Sequence, residues 1–356
     1  MVPTISLKVE LLKPTIEKQN VYQTMTQTNT DFANWLLTYD DLNKATSKVF
    51  KLFSSNKQLP SAVVNQTIRD VKSQKRHQKA KKYKRLWCAF NNQNAKIEYD
   101  SLYKISFPTL EKRIGVPLVV RPFQQKWLDK VLNGEAKQGT VDLFKKRGRW
   151  FVTIAISYDV EKTTNEKVLG IDLGLKNIAT CSVGTKSLFF KGNQIAFKRR
   201  RFSSRRRKLG KLKKLQAIKK SKDKESLWMR EMNHTISRRI IRFARSNGVG
   251  LIRMEDLTGI RMAKSKKEAG RNLNNWSFHQ LQTFIQYKAE MAGITVEYVV
   301  PNYTSQTCKC GNCDKQNRNG LMFKCKKCSY KNHADLNASI NIAKALSGIS
   351  KHKQVI

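Results

Sequence analysis

The chain opens on an alternating stretch, TISLKVELL, whose pattern predicts a short strand that stops at Pro14. From about Asp31 to Ser73 the apolar spacing turns helical. Phe32, Trp35, Leu36 and Tyr39 share one face, followed by Val49, Phe50 and Phe53, and Asp31 is placed to cap the first helix. Between residues 97 and 160, KIEYDSLYKISFP, PLVVRPF and RWFVTIAISYDV are alternating or β-branched runs separated by Gly and Pro, the pattern of a β-rich unit. After the polar linker EKTTNEK, strand and helix patterns alternate. KVLGIDLGLKNIATCSVGTKSLFFKG predicts three short strands. RRRFSSRRRKLGKLKKLQAIKK predicts one long helix burying an edge of Leu209, Leu212, Leu215 and Ile218. The helix MNHTISRRIIRFARSNG, the strand VGLIRMEDL, the helix HQLQTFIQYKAEMAG, the strand ITVEYVVP and a helix around ADLNASINIAKAL complete an α/β order.

Charge narrows the function. Among 356 residues, 70 are Lys or Arg and 26 are Asp or Glu, a net charge of +44 that a polyanion must neutralise. No apolar run reaches the roughly 18 residues of a membrane helix. The start, MVPTISLKVELLKP, lacks the apolar core and cleavage site of a secretory signal. The expectation is an intracellular nucleic-acid binder with no membrane partner, in cytoplasm or nucleoid if the host is prokaryotic. Two basic tracts are its candidate contacts. Arg69 to Arg85 holds nine Lys/Arg, and Lys72, Lys75, Arg76, Lys79 and Lys82 recur at helical spacing. Residues 198 to 220 hold thirteen, including Arg199, Arg200, Arg205, Arg206 and Lys211.

In a chain so poor in acids, three carboxylates stand out. Asp172 lies in the apolar strand VLGIDLG, Glu255 ends the strand GLIRMEDL, and Asp335 opens the last helix in NHADLNASINIA. Taken singly these are a turn residue, an ion-pair partner and a helix cap. If the strands are neighbours and the helix packs on their ends, the oxygens converge on hard divalent cations, Mg²⁺ or Mn²⁺, the ions of phosphodiester hydrolysis. Strand alternation sends Glu255 and the adjacent Asp256 to opposite faces without choosing between them.

Five of seven cysteines fall in TCKCGNCDKQNRNGLMFKCKKC. Cys88 and Cys181, in apolar settings, read as small buried hydrophobes. Cys325 and Cys328 form a C-x-x-C knuckle, and by spacing Cys310 and Cys313 form the other, together a structural Zn²⁺ site with no open position for water. His333, close to Asp335, reads as a solvated histidine at a helix start.

Taken in order, GIDLGLKNIAT, RMEDL, TSQTC, FKCKKC and NHADLNASINIA resemble the RuvC-like nuclease of the TnpB family. These are proteins of bacterial insertion sequences, similar to miniature type V CRISPR effectors. The resemblance extends over residues 168 to 346, with FKKRGRWFVTIAISYDV leading into it. It implies an RNase-H-like (RuvC) domain over 163–304 and 331–356, interrupted by a zinc ribbon at 305–330. Ahead of this lie a β-rich, wedge-like domain over 1–13 and 86–162 and a helical recognition insertion over 14–85. It implies that Asp172, Glu255 and Asp335 are the catalytic, metal-binding acids, selecting Glu255 over Asp256. It also places the first zinc ligand directly after TSQT, at Cys308, leaving Cys308 and Cys313 as alternatives beside Cys310. The implied function is an RNA-guided DNA endonuclease. Its guide is a transposon-end RNA, and its target is duplex DNA beside a short motif. A nuclease-inactive RNA-guided repressor and a guide-independent transposase or junction resolvase are the competing readings.

Overall fold

The computed structural model describes residues 1–76, 82–257, 278–300 and 303–344, with the side chain of Arg76 excepted. The chain divides into two compact units, Val2–Asp159 and Val160 onward.

The first unit is built on strands β1 (Thr4–Leu11), β2 (Trp87–Phe90), β3 (Lys96–Tyr99), β4 (Tyr103–Pro108), β5 (Arg113–Val119), β6 (Ala136–Lys146) and β7 (Arg149–Tyr158). They form one antiparallel sheet in the order β2-β6-β7-β1-β5-β4-β3, with the N-terminal strand between β7 and β5. Among the described residues three α-helices lie between β1 and β2: α1 (Ile16–Thr38), α2 (Val49–Phe53) and α3 (Ser61–Arg76). They close over Phe32, Leu36, Phe50, Val64, Ile68 and Val71. Helix α4 (Pro122–Leu132) precedes β6.

Helix α1 corrects the expected start near Asp31: it begins at Ile16, capped by the Thr15 side chain, and Asp31 is interior. Its buried face before Phe32 mixes the apolar Tyr22 and Met25 with polar residues, which blurs the apolar period. Thr26, Thr28, Asn29 and Thr30 are buried. Thr26 and Thr30 hydroxyls donate to the carbonyls of Tyr22 and Thr26 one turn back, both at 2.8 Å. The Asn29 amide donates to Trp87 O at 2.8 Å and accepts from the Thr67 hydroxyl at 2.6 Å. Hydrogen bonds thus satisfy positions that periodicity assigns to apolar side chains.

The second unit carries strands β8 (Lys167–Asp172), β9 (Asn177–Val183), β10 (Lys186–Lys191), β11 (Val249–Glu255) and β12 (Thr295–Val299). Their order is β10-β9-β8-β11-β12. β8, β11 and β12 run parallel, while β9 and β10 are antiparallel to their neighbours. Helices α5 (Asn193–Lys211) and α6 (Leu215–Ser246) follow β10, α7 (Phe278–Glu290) precedes β12, and α8 (Ala334–Ala343) comes last among the described residues. Leu169, Ile171, Ile252 and Met254 share one core with Ile236, Ile240, Leu281 and Ile285 of α6 and α7. Alternation turns Gly170, Asp172, Arg253 and Glu255 to the other face, where α8 packs. A small sheet of β13 (Arg318–Asn319), β14 (Met322–Lys324) and β15 (Lys331–His333) interrupts the unit just before α8.

The expected long basic helix is two helices. The chain breaks at 212–214, where Lys213 takes φ of 51°, and Leu212 and Leu215 are 63% and 74% exposed rather than buried. Cys88 and Cys181 are fully buried, and burial pushes both thiols up. No helix among the described residues is long and apolar enough to cross a membrane.

Candidate metal centres and nucleic-acid surface

Register places the first two carboxylates. In the parallel pair β8–β11, Ile171 stands opposite Met254, so the next residues, Asp172 and Glu255, end neighbouring strands side by side on the α8 face. Asp256 continues to the other face. Its charge, with burial the larger cause, pushes up Tyr298, whose hydroxyl donates to Gln286 of α7 at 3.0 Å.

Gly170 sets the third. A Cβ there would lie 1.9 Å from Ser339 O and 2.6 Å from Ala343 N, so α8 rests directly on the β8 backbone. Asp335, one turn before Ser339, is thereby carried toward Asp172, two residues after Gly170. Arg253 holds the far end of α8, donating to Ala343 O at 2.6 Å and to Glu297 at 2.8 Å. At the near end the cap is His333, whose Nδ1 accepts from Asp335 N at 3.2 Å. The histidine read as solvated is half-buried and packs edge-on against Phe189. Asp335 is therefore not the cap, and its carboxylate is free to face the cluster.

The electrostatics register the convergence. Burial, then the charges of Glu255 and Asp335, hold Asp172 well above the usual carboxylate range, with Arg318 opposing them. Burial also raises Glu255, against the Thr304 hydroxyl bonded to its Oε1 and against Arg318. The Asp335 oxygens accept from Asn177 Nδ2 at 2.9 Å and Arg318 Nη2 at 3.1 Å. An open groove of about 600 Å³ borders Asp172 and Asp335 and is flanked by Lys176, Lys315 and Arg318. Arg318 pairs with Asp335, and its charge also acts on Asp172 and Glu255, so one guanidinium faces three carboxylates, whose oxygens are the donor type that hard divalent cations prefer. Asn177, Thr304 and Arg318 were missed in the sequence, where each reads as an ordinary loop or strand-end polar residue.

The cysteine ribbon corrects the choice made from spacing. Sulfurs of Cys308, Cys310, Cys325 and Cys328 all lie within 4.8 Å of one another, and Cys313 is outside the group. Cys308 Sγ is 3.6 Å from Cys328 Sγ and Cys310 Sγ 3.7 Å from Cys325 Sγ. Tetrahedral zinc with bonds of about 2.3 Å sets sulfurs about 3.8 Å apart, so the set fits that ion. Cys308 is buried, and its carbonyl accepts from Gly311 N at 2.9 Å in a tight turn that returns Cys310 to the cluster. Cys313 is exposed and pairs through its backbone with Thr307. The turn, rather than the x-x count, decides which thiols converge.

The basic candidates separate into classes. Lys72 Nζ donates to Asn43 O at 2.9 Å and Ala45 O at 3.2 Å, closing the turn before α2 rather than standing free. Helix α3 is described as far as Arg76, and Lys82 is exposed on irregular chain, so Lys82 does not continue a helix face with Lys72 and Lys75. Lys79 lies outside the described residues. Arg199 Nε donates to Glu225 Oε1 at 3.2 Å, and Arg206 bonds the other oxygen of that buried carboxylate. These two fasten α5 to α6, while Arg200, Arg205 and Lys211 are exposed. Glu225 was not singled out in the sequence.

The profile described as "Cas12f1-like, TNB domain" matches residues 278–342, and that described as "Probable transposase" (OrfB_IS605) matches 151–261. A TnpB-like protein of Methanocaldococcus jannaschii is 33% identical over 268 residues, 70% of this chain and 92% of its own length. The chain belongs to the TnpB family. This TnpB protein is also 35% identical over 258 residues, 66% of its length, to the CRISPR-associated endodeoxyribonuclease Cas12f1 of Sulfoacidibacillus thermotolerans, of which it spans 60%. In fold it is similar to the protein of a Cas12f1–sgRNA–target DNA complex, with a TM-score of 0.70 at 17% identity, covering 96% of this chain and 99% of that one. A mini-RNA-guided endonuclease, CRISPR-Cas phi3, matches with a TM-score of 0.52 at 11% identity over 96% of this chain and 92% of its own.

Proposed function

We propose that this TnpB protein is an RNA-guided DNA endonuclease associated with an insertion sequence. The observation that carries the reading is the set of carboxylates: Asp172 and Glu255 at the ends of the neighbouring strands β8 and β11, with Asp335 on α8 beside them, where burial first and then the charges of Glu255 and Asp335 raise the Asp172 carboxyl. A non-cutting binder has no use for such a cluster. In this reading the second unit is an RNase-H-like, RuvC-type nuclease domain with a zinc-ribbon insertion, and the three acids hold Mg²⁺ or Mn²⁺. Such ions, when bound, supply positive charge to the reacting phosphate and lower the pKa of water.

The chain's own residues orient the site and draw in the substrate. Thr304 and Asn177 aim the Glu255 and Asp335 oxygens. Lys176, Lys315 and Arg318 offer the groove cationic partners for a DNA phosphate. Zn²⁺ would be held by Cys308, Cys310, Cys325 and Cys328, a closed thiolate set with a structural role. Asn337 and Asn341 tie the loop before Cys308 to α8, donating to Thr307 O at 2.8 and 2.7 Å. The ribbon thereby supports both Thr304 and Arg318.

Guide RNA from the element's end and duplex DNA beside a short motif are the proposed partners. Base pairing would read sequence while the net charge of +44 serves the backbones. The reducing interior of a cell suits a four-thiolate site. Purified protein with its co-purifying RNA should cut DNA matching that RNA when Mg²⁺ is present. Asp172→Ala should lower cutting by at least about 1000-fold, about 4 kcal/mol of transition-state stabilisation, and keep RNA affinity within about twofold. An alanine variant that cuts like the parent removes the metal-site assignment.

A further inference from the structure

Beside the cluster stands a residue whose backbone and side chain are both unusual. Tyr303 has φ of 57°, the left-handed region that a bulky side chain rarely enters. Its ring is 64% exposed and packs on no other aromatic among the described residues. The conformation is held rather than loose. Tyr303 O accepts from Gln306 N at 2.9 Å, Thr307 N at 3.0 Å and the Thr307 hydroxyl at 2.9 Å. The next residue, Thr304, is buried, bonds Glu255 through its hydroxyl and is held through its carbonyl by Asn341 at 2.7 Å. One peptide link thus joins a ring turned to solvent to a residue that touches the carboxylate site. Glycine or asparagine would suit this backbone without strain. Strain retained at such a place points to use of the ring.

We infer that Tyr303 is a stacking platform for one unpaired base of the DNA strand delivered to the Asp172–Glu255–Asp335 site. The inference rests on the nuclease reading above. The substrate class follows from the surface: an exposed ring offers a π-face to any base, and a base freed from its pairing and stacking partners can lie flat on it. A duplex end-on to the groove keeps its bases stacked on one another. Tyr303 acts as a positioning residue, placing the neighbouring phosphate in the cationic groove while the carboxylates attend to the reaction.

The test uses the full-length protein with its co-purified RNA and compares Tyr303→Phe, Tyr303→Leu and Tyr303→Gly. Phe keeps the π-face, Leu keeps apolar bulk and the same backbone demand, and Gly removes both ring and strain. Phe should match the parent. Leu and Gly should raise KM for an unpaired DNA strand roughly tenfold, while Gly raises Tm above that of Leu. In the Asp172→Ala background, a 2-aminopurine walked along the strand should be quenched at one position by Tyr and Phe but not by Leu. Equal KM for Leu and parent, with no quenched position, overturns the inference while the parent still cuts. A parent that does not cut with Mg²⁺ overturns the nuclease reading instead.

Discussion

At the scale of single residues, groups that look incidental in the sequence set the chemistry of their neighbours. Thr304 is the clearest case, because its hydroxyl donates to Glu255 and no other side-chain donor to that carboxylate is seen among the described residues. A hydrogen bond to a charged acceptor contributes about 1.5–3 kcal/mol. Thr304→Val keeps the shape and removes the donor, so the cleavage rate should fall by about tenfold to a hundredfold. Its Tm should fall by only about a few degrees. Asp70, on α3, presents a different balance. Burial pushes its carboxyl up to about 6, the charge of Asp142 adds to this, and the Gln66 amide at 3.0 Å opposes it. A folded-state pKa above the unfolded value means that the native state holds the proton more tightly. This contribution to stability is therefore full below about pH 4 and lost as pH rises to about 6. Asp70→Asn should remove that dependence and raise Tm at pH 8 by on the order of 3 °C, measured by thermal unfolding across pH.

At the scale of elements, close approach of helix and strand carries more than sequence pattern reveals. α8 reaches Asp172 because Gly170 has no side chain. Gly170→Ala directs a methyl into Ser339 O and the backbone of Ala343, neither of which yields like a flexible side chain. The variant should lose about 3 kcal/mol, seen as a lower denaturation midpoint, and its cutting should fall with displacement of Asp335. Helices α5 and α6 show the limits of pattern from the other side. A leucine repeat crosses their junction, yet the chain turns at Lys213, and the buried Glu225 with its two arginines joins the helices instead. In α1 the failure has the opposite sign, since threonines and asparagines fill a buried face by satisfying their own hydrogen bonds.

At the scale of the molecule, the ribbon, residues 303–307, α8 and the ends of β8 and β11 form one connected support for the carboxylates. In the proposed reaction zinc would act only through that support. Cys308→Ser should lose bound zinc, measured as metal per protein, and with it most of the nuclease activity. Cys313→Ser should retain both, since its sulfur lies outside the cluster. The reverse outcome would restore the choice made from C-x-x-C spacing.

The sequence alone determined the α/β order and the need for a polyanion and drew attention to Asp172, Asp335 and the Glu255–Asp256 pair, between which only the family resemblance chose. Strand patterns, net charge and isolated carboxylates in apolar strands are properties of composition and local spacing. It also bounded the zinc ligands to five cysteines. Which four converge, which face Glu255 takes beside Asp172, and how Gly170 admits α8 were decided by tertiary structure. Each depends on atoms distant in the chain meeting at ångström range, and a one-dimensional pattern carries no such distance. Tyr303 belongs with these, because its strained backbone and exposed ring acquire meaning only from the Thr304–Glu255 bond beside them.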